Sequence, residues 1–327
     1  MTWVVFIVSS SLLVLAAVKL AEYGDTIALR TGLGRLFIGT LLLAGATSLP
    51  EFLNAINSIN QSVPDLAAGD LFGSNMFNIC LLGLFDVIYW RRNILLKAVN
   101  KHLLTAGIAV LLGSLAVFFV QAHVPWHIGW LGVDSLVLIV VYLGGVYLLQ
   151  RHSPFAGPTN AELSEAHVPR LGPALVGFAL SAALLVMVSP RLVESSIDIA
   201  RITGLGTGFV GIALVGIVTS LPEMVTCVVA IRLHAYDLAV GNLFGSVIFN
   251  TFALGMTDLF FTRGRFLSEI DPIFGLVGLI SLILSSVALV SNTVHRRRLR
   301  FSHLDAVIII FIYALGVLFI YQRGLGG

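Results

Sequence analysis

The chain has 327 residues, of which 57% are hydrophobic and only 11% are charged, and its formal net charge is +2. Soluble domains carry about 25% charged residues, so this composition excludes an ordinary water-soluble protein. The basic residues form no continuous stripe, which argues against nucleic acid as a partner. The lipid bilayer is therefore the predicted surrounding of most of the chain.

A membrane-spanning helix needs about 20 consecutive, mostly apolar residues. Ten segments meet this requirement in chain order: 3–21, 36–60, 66–90, 102–121, 128–149, 172–191, 207–231, 237–261, 272–292 and 303–321. We therefore predict an all-α polytopic membrane protein with ten transmembrane helices. Amphipathic stretches at 22–30 and 192–201 are expected to extend the first and sixth helices. The N-terminus lacks the basic region of a signal peptide, so the first segment is expected to remain a membrane helix.

The positions of Lys and Arg predict the orientation, because cytoplasmic loops are enriched in these residues. The loops after the odd-numbered helices carry the basic excess: Arg30, Arg35, Arg91, Arg92, Lys97, Lys101, Arg151, Arg170, Arg232, Arg296, Arg297, Arg298 and Arg300. The opposite loops carry only Arg201, Arg263, Arg265 and Arg323 clearly outside the apolar segments. We predict an inner (cell) membrane protein with the 151–170 linker in the cytoplasm and both termini outside.

The sequence contains an internal repeat with a constant offset of 172 residues. This offset aligns residues 39–86 with residues 211–258 without a gap, and 21 of the 48 positions are identical. The identical positions include Pro, Glu, Asn and Gly, which chance similarity between apolar segments would not keep in register. The duplication indicates a transporter or channel architecture but does not identify the cargo.

Each repeat contains five predicted helices, so the second copy must enter the membrane inverted with respect to the first. We predict a first five-helix repeat at 1–150, a linker at 151–170 and a second, inverted repeat at 171–327. Inverted repeats allow one central site to face the two sides of the membrane alternately.

Both copies contain the motif Thr-Ser-Leu-Pro-Glu, which ends at Glu51 and at Glu223. A proline within a membrane helix removes a backbone donor and frees the carbonyl four residues earlier, which here is that of Ala46 or Val218. A bound cation can satisfy such a carbonyl at membrane depth. A charged glutamate about fifteen residues into its predicted span is costly, and such residues are usually functional.

Further oxygen-bearing side chains share the helix faces of these glutamates, because residues three or four apart lie on one face. They are Thr47, Ser48, Thr219 and Ser220. In the helices that follow, Ser74 and Asn78 share one face, as do Ser246 and Asn250. Carboxylates, hydroxyls and amide oxygens together suit a hard cation such as Na⁺ or Ca²⁺. We predict that these residues bind the ion, with Glu51 and Glu223 as its charged ligands or as proton carriers.

Several other residues receive a structural interpretation. The four glycines Gly69, Gly73, Gly241 and Gly245 are predicted to permit close helix packing. Asp65 and Asp237 are predicted helix N-caps, and Asp86 and Asp258 are predicted to lie at the membrane interface. Cys80 and Cys227 are predicted to be buried thiols without a functional role. No cofactor and no protein partner are indicated.

The two motif copies resemble the α-repeats of the calcium/cation antiporter superfamily, in particular its sodium/calcium exchanger family. That family's pattern is Gly-Thr-Ser-Leu-Pro-Glu followed by Gly-Asn-x-x-Gly-Ser-Asn-x-Phe-Asn. The resemblance implies ten helices in five-plus-five arrangement and exchange of Ca²⁺ for Na⁺, H⁺ or K⁺ driven by an ion gradient. It also implies that the backbone carbonyls of Ala44 and Gly216 contact the ion.

The chain departs from the family pattern at several positions. Ala46 and Val218 replace the glycine before Thr-Ser, Asp70 replaces the first Asn, and Val247 replaces a later one. Asp70 could add charge to the ion pathway or merely cap its helix. A cation/proton antiporter without Ca²⁺ selectivity and a passive cation channel remain alternatives. An intramembrane enzyme is a third, although no catalytic motif for one is visible.

Overall fold

The computed structural model describes residues 2–89, 102–152, 170–203, 215–294 and 304–322. Its helices are α1 (Thr2–Thr31), α2 (Gly34–Phe37), a π-helix (Ile38–Leu43), α3 (Ala44–Thr47), α4 (Leu49–Asn60), α5 (Pro64–Ile88), α6 (Leu103–Ala122), α7 (Val133–His152), α8 (Leu171–Thr203), α9 (Val215–Thr219), α10 (Leu221–Arg232), α11 (Tyr236–Thr257), α12 (Phe266–Glu269), α13 (Pro272–Val294) and α14 (Leu304–Gln322). A short antiparallel hairpin, β1 (His127–Ile128) and β2 (Leu131–Gly132), precedes α7.

Eight helical stretches in the described part of the chain are long and apolar enough to cross a membrane. They correspond to eight of the ten predicted segments, and α14 contains a shorter apolar stretch at the position of the tenth. The predicted seventh segment begins within residues 204–214, which lie outside the described residues. Most of the predicted linker and the basic residues 296–300 also lie outside them.

The ends of several helices refine the sequence-based boundaries. The predicted extensions of the first and sixth helices are confirmed, because α1 continues to Thr31 and α8 to Thr203. The fifth helix was expected to begin at 128, but the hairpin occupies that stretch and α7 begins at Val133. The apolar sequence of residues 128–133 does not predict this hairpin.

The most polar transmembrane helices occupy the interior of the bundle. In the apolar stretch of α11, 89% of the residues are buried, whereas only 28% are buried in that of α8. The peripheral helices α1 and α8 pack along each other, and α11 contacts α5 and the π-helix. The Ser and Asn side chains of α5 and α11 and the Asp70 side chain are therefore enclosed by protein.

Two glycines of α11 allow its backbone to approach the π-helix closely. A Cβ atom added to Gly241 would lie 3.0 Å from the carbonyl oxygen of Leu36, and one on Gly245 would lie 2.7 Å from the Cβ of Ala44. The predicted packing role is confirmed for these two glycines. In α5, a Cβ atom added to Gly69 would lie 3.0 Å from the ring of Phe274.

The structure corrects one prediction about aspartates. Asp65 and Asp237 are not N-caps, because Val63 and Ala235 occupy those positions and the aspartates lie in the first turn. Negative charge is favourable there as well, which explains why the sequence pattern looked like a cap.

Asp86 and Asp258 lie at the ends of their helices, and both are fully buried within the protein. Asp258 accepts hydrogen bonds from the backbone N–H groups of Gly132 (2.8 Å) and Phe266 (2.6 Å), and it thereby ties two connections to the end of α11.

Three further residues are buried and have no function predicted from the sequence: Cys80, Cys227 and His102. Cys80 and Cys227 are buried free thiols, as predicted. His102 is fully buried at the start of α6. Its Nε2 lies 3.8 Å from Oδ1 of Asp237.

Candidate functional site

Both Thr-Ser-Leu-Pro-Glu motifs interrupt their helices at the serine. Ser48 (φ −91°, ψ 2°) and Ser220 (φ −86°, ψ 9°) have nearly the same non-helical backbone conformation. The predicted continuous spans are thus broken, and Pro50 and Pro222 lie in the first turn of the helix that follows. A proline is harmless there because N–H groups in the first turn have no partner within the helix.

The helix breaks place the two glutamates at helix N-termini inside the protein. Glu51 lies in the first turn of α4 and Glu223 in the first turn of α10, and both side chains are fully buried. The free N–H groups of a helix N-terminus favour a negative charge, which offsets part of the cost of burying a carboxylate. Glu51 also lies within electrostatic range of the carboxyl groups of Glu223 and Asp70.

Glu223 is held by hydroxyl groups from two other helical segments. Ser48, at the break in the first motif, donates a hydrogen bond to Oε1 of Glu223 at 2.9 Å. Ser246 of α11 donates to the same oxygen at 3.4 Å. The first motif therefore contacts the glutamate of the second motif directly, and the two copies form one polar region.

Glu51 has no such donors. Neither carboxylate oxygen of Glu51 has a hydrogen-bond partner among the described residues. The same holds, within that part of the chain, for Oγ of Ser220, Oε2 of Glu223 and both amide atoms of Asn78 and Asn250. Buried polar atoms are costly unless they are paired, so these oxygens are suited to receive a cation.

Further hydrogen bonds connect the motif threonines with the opposite copy. The hydroxyl of Thr47 lies 3.3 Å from Oδ1 of Asn242 and 3.2 Å from the backbone carbonyl oxygen of Ala44, and its one proton is shared between these two acceptors. Thr219 donates to Oδ1 of Asp70 at 3.3 Å and lies 3.4 Å from the hydroxyl of Ser74. Thr47, Thr219 and Ser74 therefore belong to the same buried region as the glutamates.

The resemblance implicates two backbone carbonyls, those of Ala44 and Gly216. The carbonyl of Ala44 accepts hydrogen bonds from the backbone N–H of Ser48 (2.9 Å) and from the hydroxyl of Thr47. Gly216 lies in α9, three residues before Thr219.

The structure also reveals polar residues around the motifs that the sequence analysis did not select. Asn54 donates to Oδ2 of Asp70 at 2.7 Å, and Asn242 donates to Oγ1 of Thr226 at 2.9 Å. Positions 54 and 226 are equivalent under the 172-residue offset, as are positions 70 and 242. Polar residues at equivalent positions in both copies were a signal that could have identified them.

The fold and this buried, oxygen-rich region define a multi-pass membrane protein with an internal polar site. Residues 1–150 and 173–322 match the sodium/calcium exchanger protein family, so the chain belongs to that family.

Relatives and solved structures agree with this assignment. The chain is 30% identical over 276 residues to the inner membrane protein YrbG of Escherichia coli K12, covering 82% of this chain and 81% of that protein. It is 41% identical over 83 residues to the sodium/calcium exchanger MaX1 of Methanosarcina acetivorans, about a quarter of each chain. The fold is similar to that of the sodium-calcium exchanger NCX_Mj, with a TM-score of 0.73, 17% identity and coverage of 97% and 99% of the two chains.

Proposed function

We propose that this protein is a secondary active antiporter that exchanges Ca²⁺ for Na⁺, or for H⁺ or K⁺, at one site built from both motif copies. Glu51 and Glu223 are the charged ligands. The remaining proposed ligands are Thr47, Ser48, Ser74, Asn78, Thr219, Ser220, Ser246, Asn250 and the carbonyls of Ala44 and Gly216. Two relatives are named as sodium/calcium exchangers, which supports the choice of ions.

The observation that carries this proposal is the buried Glu51 carboxylate, which has no hydrogen-bond donor among the described residues. An isolated ionised carboxylate inside protein costs many kcal/mol, so it must be neutralised by a proton or paired with a cation. The neighbouring hydroxyl and amide oxygens are the ligands that Na⁺ and Ca²⁺ prefer. Alternate occupation by a cation and by another cation or protons is the chemistry of an antiporter.

Charge balance is consistent with exchange. The two glutamates carry a charge of −2 when ionised, which one Ca²⁺, two monovalent cations or two protons would neutralise. Each of these loaded states avoids an uncompensated charge at membrane depth, whereas an empty ionised site does not. Movement of the site between the two membrane faces is therefore favourable only when it is loaded, which couples the two ions.

The architecture that we propose for this exchange is two inverted five-helix repeats, at 1–150 and 171–327, joined by a cytoplasmic linker at 151–170. Both termini would lie outside the cell. Rocking of one repeat against the other would expose the shared site alternately to each face. The hydrogen bond from Ser48 to Glu223 supports this arrangement, since it joins the two copies at their helix breaks.

A passive cation channel built on the same repeat is the second candidate function. An antiporter requires an ion moving in the opposite direction, whereas a channel does not, and this difference distinguishes them. The purified protein is reconstituted into liposomes, and uptake of radiolabelled Ca²⁺ is measured with outward gradients of Na⁺, K⁺ or protons imposed one at a time. We expect uptake only with at least one opposing gradient, and none without any. Uptake that proceeds equally without an opposing ion gradient would establish a channel and contradict the antiporter.

A further inference from the structure

The two repeats differ in charge at a pair of equivalent buried positions. Position 70 in α5 is an aspartate, whereas the equivalent position 242 in α11 is an asparagine. Both side chains are buried, with 4% of Asp70 and none of Asn242 exposed. The difference is therefore enclosed within the protein and is not a substitution on a solvated surface.

Asp70 is anchored by one donor from its own copy and one from the other copy. Asn54, three residues after Glu51, donates to its Oδ2 at 2.7 Å, and Thr219 donates to its Oδ1 at 3.3 Å. Both carboxylate oxygens therefore act as acceptors, as in an ionised carboxylate. The hydroxyl of Thr219 in turn lies 3.4 Å from that of Ser74.

Asn242 makes contacts at the equivalent positions of the second copy, but its side chain is uncharged. Its Oδ1 accepts the hydroxyl of Thr47 at 3.3 Å, and its Nδ2 donates to Oγ1 of Thr226 at 2.9 Å. Each copy thus presents a side-chain oxygen to the motif threonine of the opposite copy at the same distance. The hydrogen-bond framework is conserved between the copies, and the negative charge is the feature that distinguishes Asp70.

We infer that Asp70 is a positioning residue that gives the ion site a third negative charge and thereby sets its preference for divalent over monovalent cations. The inference rests on the proposed function of the same site. Asp70 acts through Thr219 and through its field, since no three His, Cys, Asp or Glu side chains converge as a metal chelate in the described residues. The carboxyl groups of Asp70 and Glu51 lie within electrostatic range of each other.

The expected consequence follows from electrostatics. The energy of a cation in the field of one fixed charge is proportional to the charge of the cation, so a divalent ion gains twice as much as a monovalent ion at the same position. Calcium affinity in proteins rises with the number of negative ligand charges. Loss of the Asp70 charge should therefore weaken Ca²⁺ binding more strongly than Na⁺ binding.

The variant Asp70→Asn tests the charge with little change in shape. Its amide can keep both hydrogen bonds if the Asn54 amide turns over to present its oxygen. In proteoliposomes, we expect the apparent KM for Ca²⁺ to rise about tenfold and that for Na⁺ only about threefold, with the maximal rate within about twofold of wild type. Asp65→Asn is the matched control, because it makes the same change in the first turn of α5, away from the site, and should transport like wild type.

A charge transfer between the copies separates electrostatics from a structural role. The double variant Asp70→Asn/Asn242→Asp moves the carboxylate to the equivalent position and should restore the Ca²⁺ to Na⁺ preference. If Asp70→Asn does not fold, Asn54→Thr/Asp70→Asn reproduces the Thr226–Asn242 pair of the second copy and tests the same loss of charge.

The inference is overturned if the ratio of the two KM values in Asp70→Asn equals that of wild type, or if the charge transfer fails to restore it. A wild-type protein without ion-coupled Ca²⁺ uptake would instead contradict the proposed function, so the two failures are distinguishable. If the wild-type protein exchanges ions normally and the ratio of the two KM values is unchanged in Asp70→Asn, only the proposed role of Asp70 is contradicted.

Discussion

The two motif copies have the same sequence and the same helix break, but they hold their glutamates differently. Glu223 accepts hydrogen bonds from Ser48 and Ser246, whereas Glu51 has no donor among the described residues. The equivalent contact, from Ser220 to Glu51, is not made, since Oγ of Ser220 also has no partner within that part of the chain. A duplicated sequence therefore sets the location of the ligands, while the conformation of the bundle decides which of them are engaged.

The largest expected effect comes from removing either glutamate charge. Glu51→Gln and Glu223→Gln should each reduce Ca²⁺ exchange in proteoliposomes about a hundredfold or more, because each removes one of the two charged ligands and leaves the charge of a bound Ca²⁺ incompletely balanced in a buried site. Glu269→Gln is the control, since Glu269 is exposed in α12 and should remain fully active. Wild-type exchange by either motif variant would show that the two copies do not share one site.

A smaller effect should distinguish the serines at the two helix breaks. Ser48→Ala removes a 2.9 Å hydrogen bond to a buried carboxylate, whereas Ser220→Ala removes a hydroxyl that makes none in the described structure. A hydrogen bond to a charged group contributes about 1.5 kcal/mol or more, so Ser48→Ala should raise the apparent KM for the cation about tenfold. We expect Ser220→Ala to change it less. A loss in Ser220→Ala as large as that in Ser48→Ala would contradict the stronger role of Ser48.

Helix packing provides the third comparison between the copies. A Cβ on Gly241 would press against backbone atoms of Leu36 and Thr40, at 3.0 and 3.1 Å, whereas a Cβ on the equivalent Gly69 would meet the ring of Phe274. A side chain can shift more easily than backbone. Gly241→Ala should therefore destabilise the protein by about 1–3 kcal/mol, and Gly69→Ala by less. Thermal unfolding in detergent measures both, and an equal loss would contradict the tighter packing of α11.

The smallest effect is expected at the buried thiol of the second copy. Cys227 occupies the position of Ala55 in the first copy, and both are fully buried. Cys227→Ala gives the second copy the residue of the first and removes only weak sulfur hydrogen bonds to Asn242 and to the carbonyl of Ala239. Exchange rates should remain within about twofold of wild type. A large loss would give this thiol a functional role.

The sequence predicted those features that depend on composition and on the repeat. Apolar length located eight of the spans, and the offset of 172 residues identified both motifs and their polar neighbours. The positions of the helix breaks and the hydrogen bonds between the copies depend on tertiary packing, which no local pattern encodes. The burial of Asp86 and Asp258 was not predicted for the same reason. A charged residue near a helix end has the same sequence pattern at the membrane interface and inside the bundle.

Asp70 is the clearest example of a residue whose role the sequence alone did not predict. Helix capping and a charge in the ion pathway were equally compatible with its position in the sequence. The structure places it within α5, beyond the first turn, with hydrogen bonds to Asn54 and Thr219, so it is not a cap. Its contact with Thr219 of the other copy depends on the packing of α5 against α9, which the sequence alone does not show.

Direct measurement of bound cation tests most closely whether the two copies form one site. Equilibrium binding of radiolabelled Ca²⁺ and Na⁺ to the purified protein should give a single class of Ca²⁺ sites with one ion per chain. Glu51→Gln and Glu223→Gln should each abolish this binding, and the double variant should be no worse than either single variant. Two Ca²⁺ ions per wild-type chain, with one retained in each single variant, would contradict a shared site.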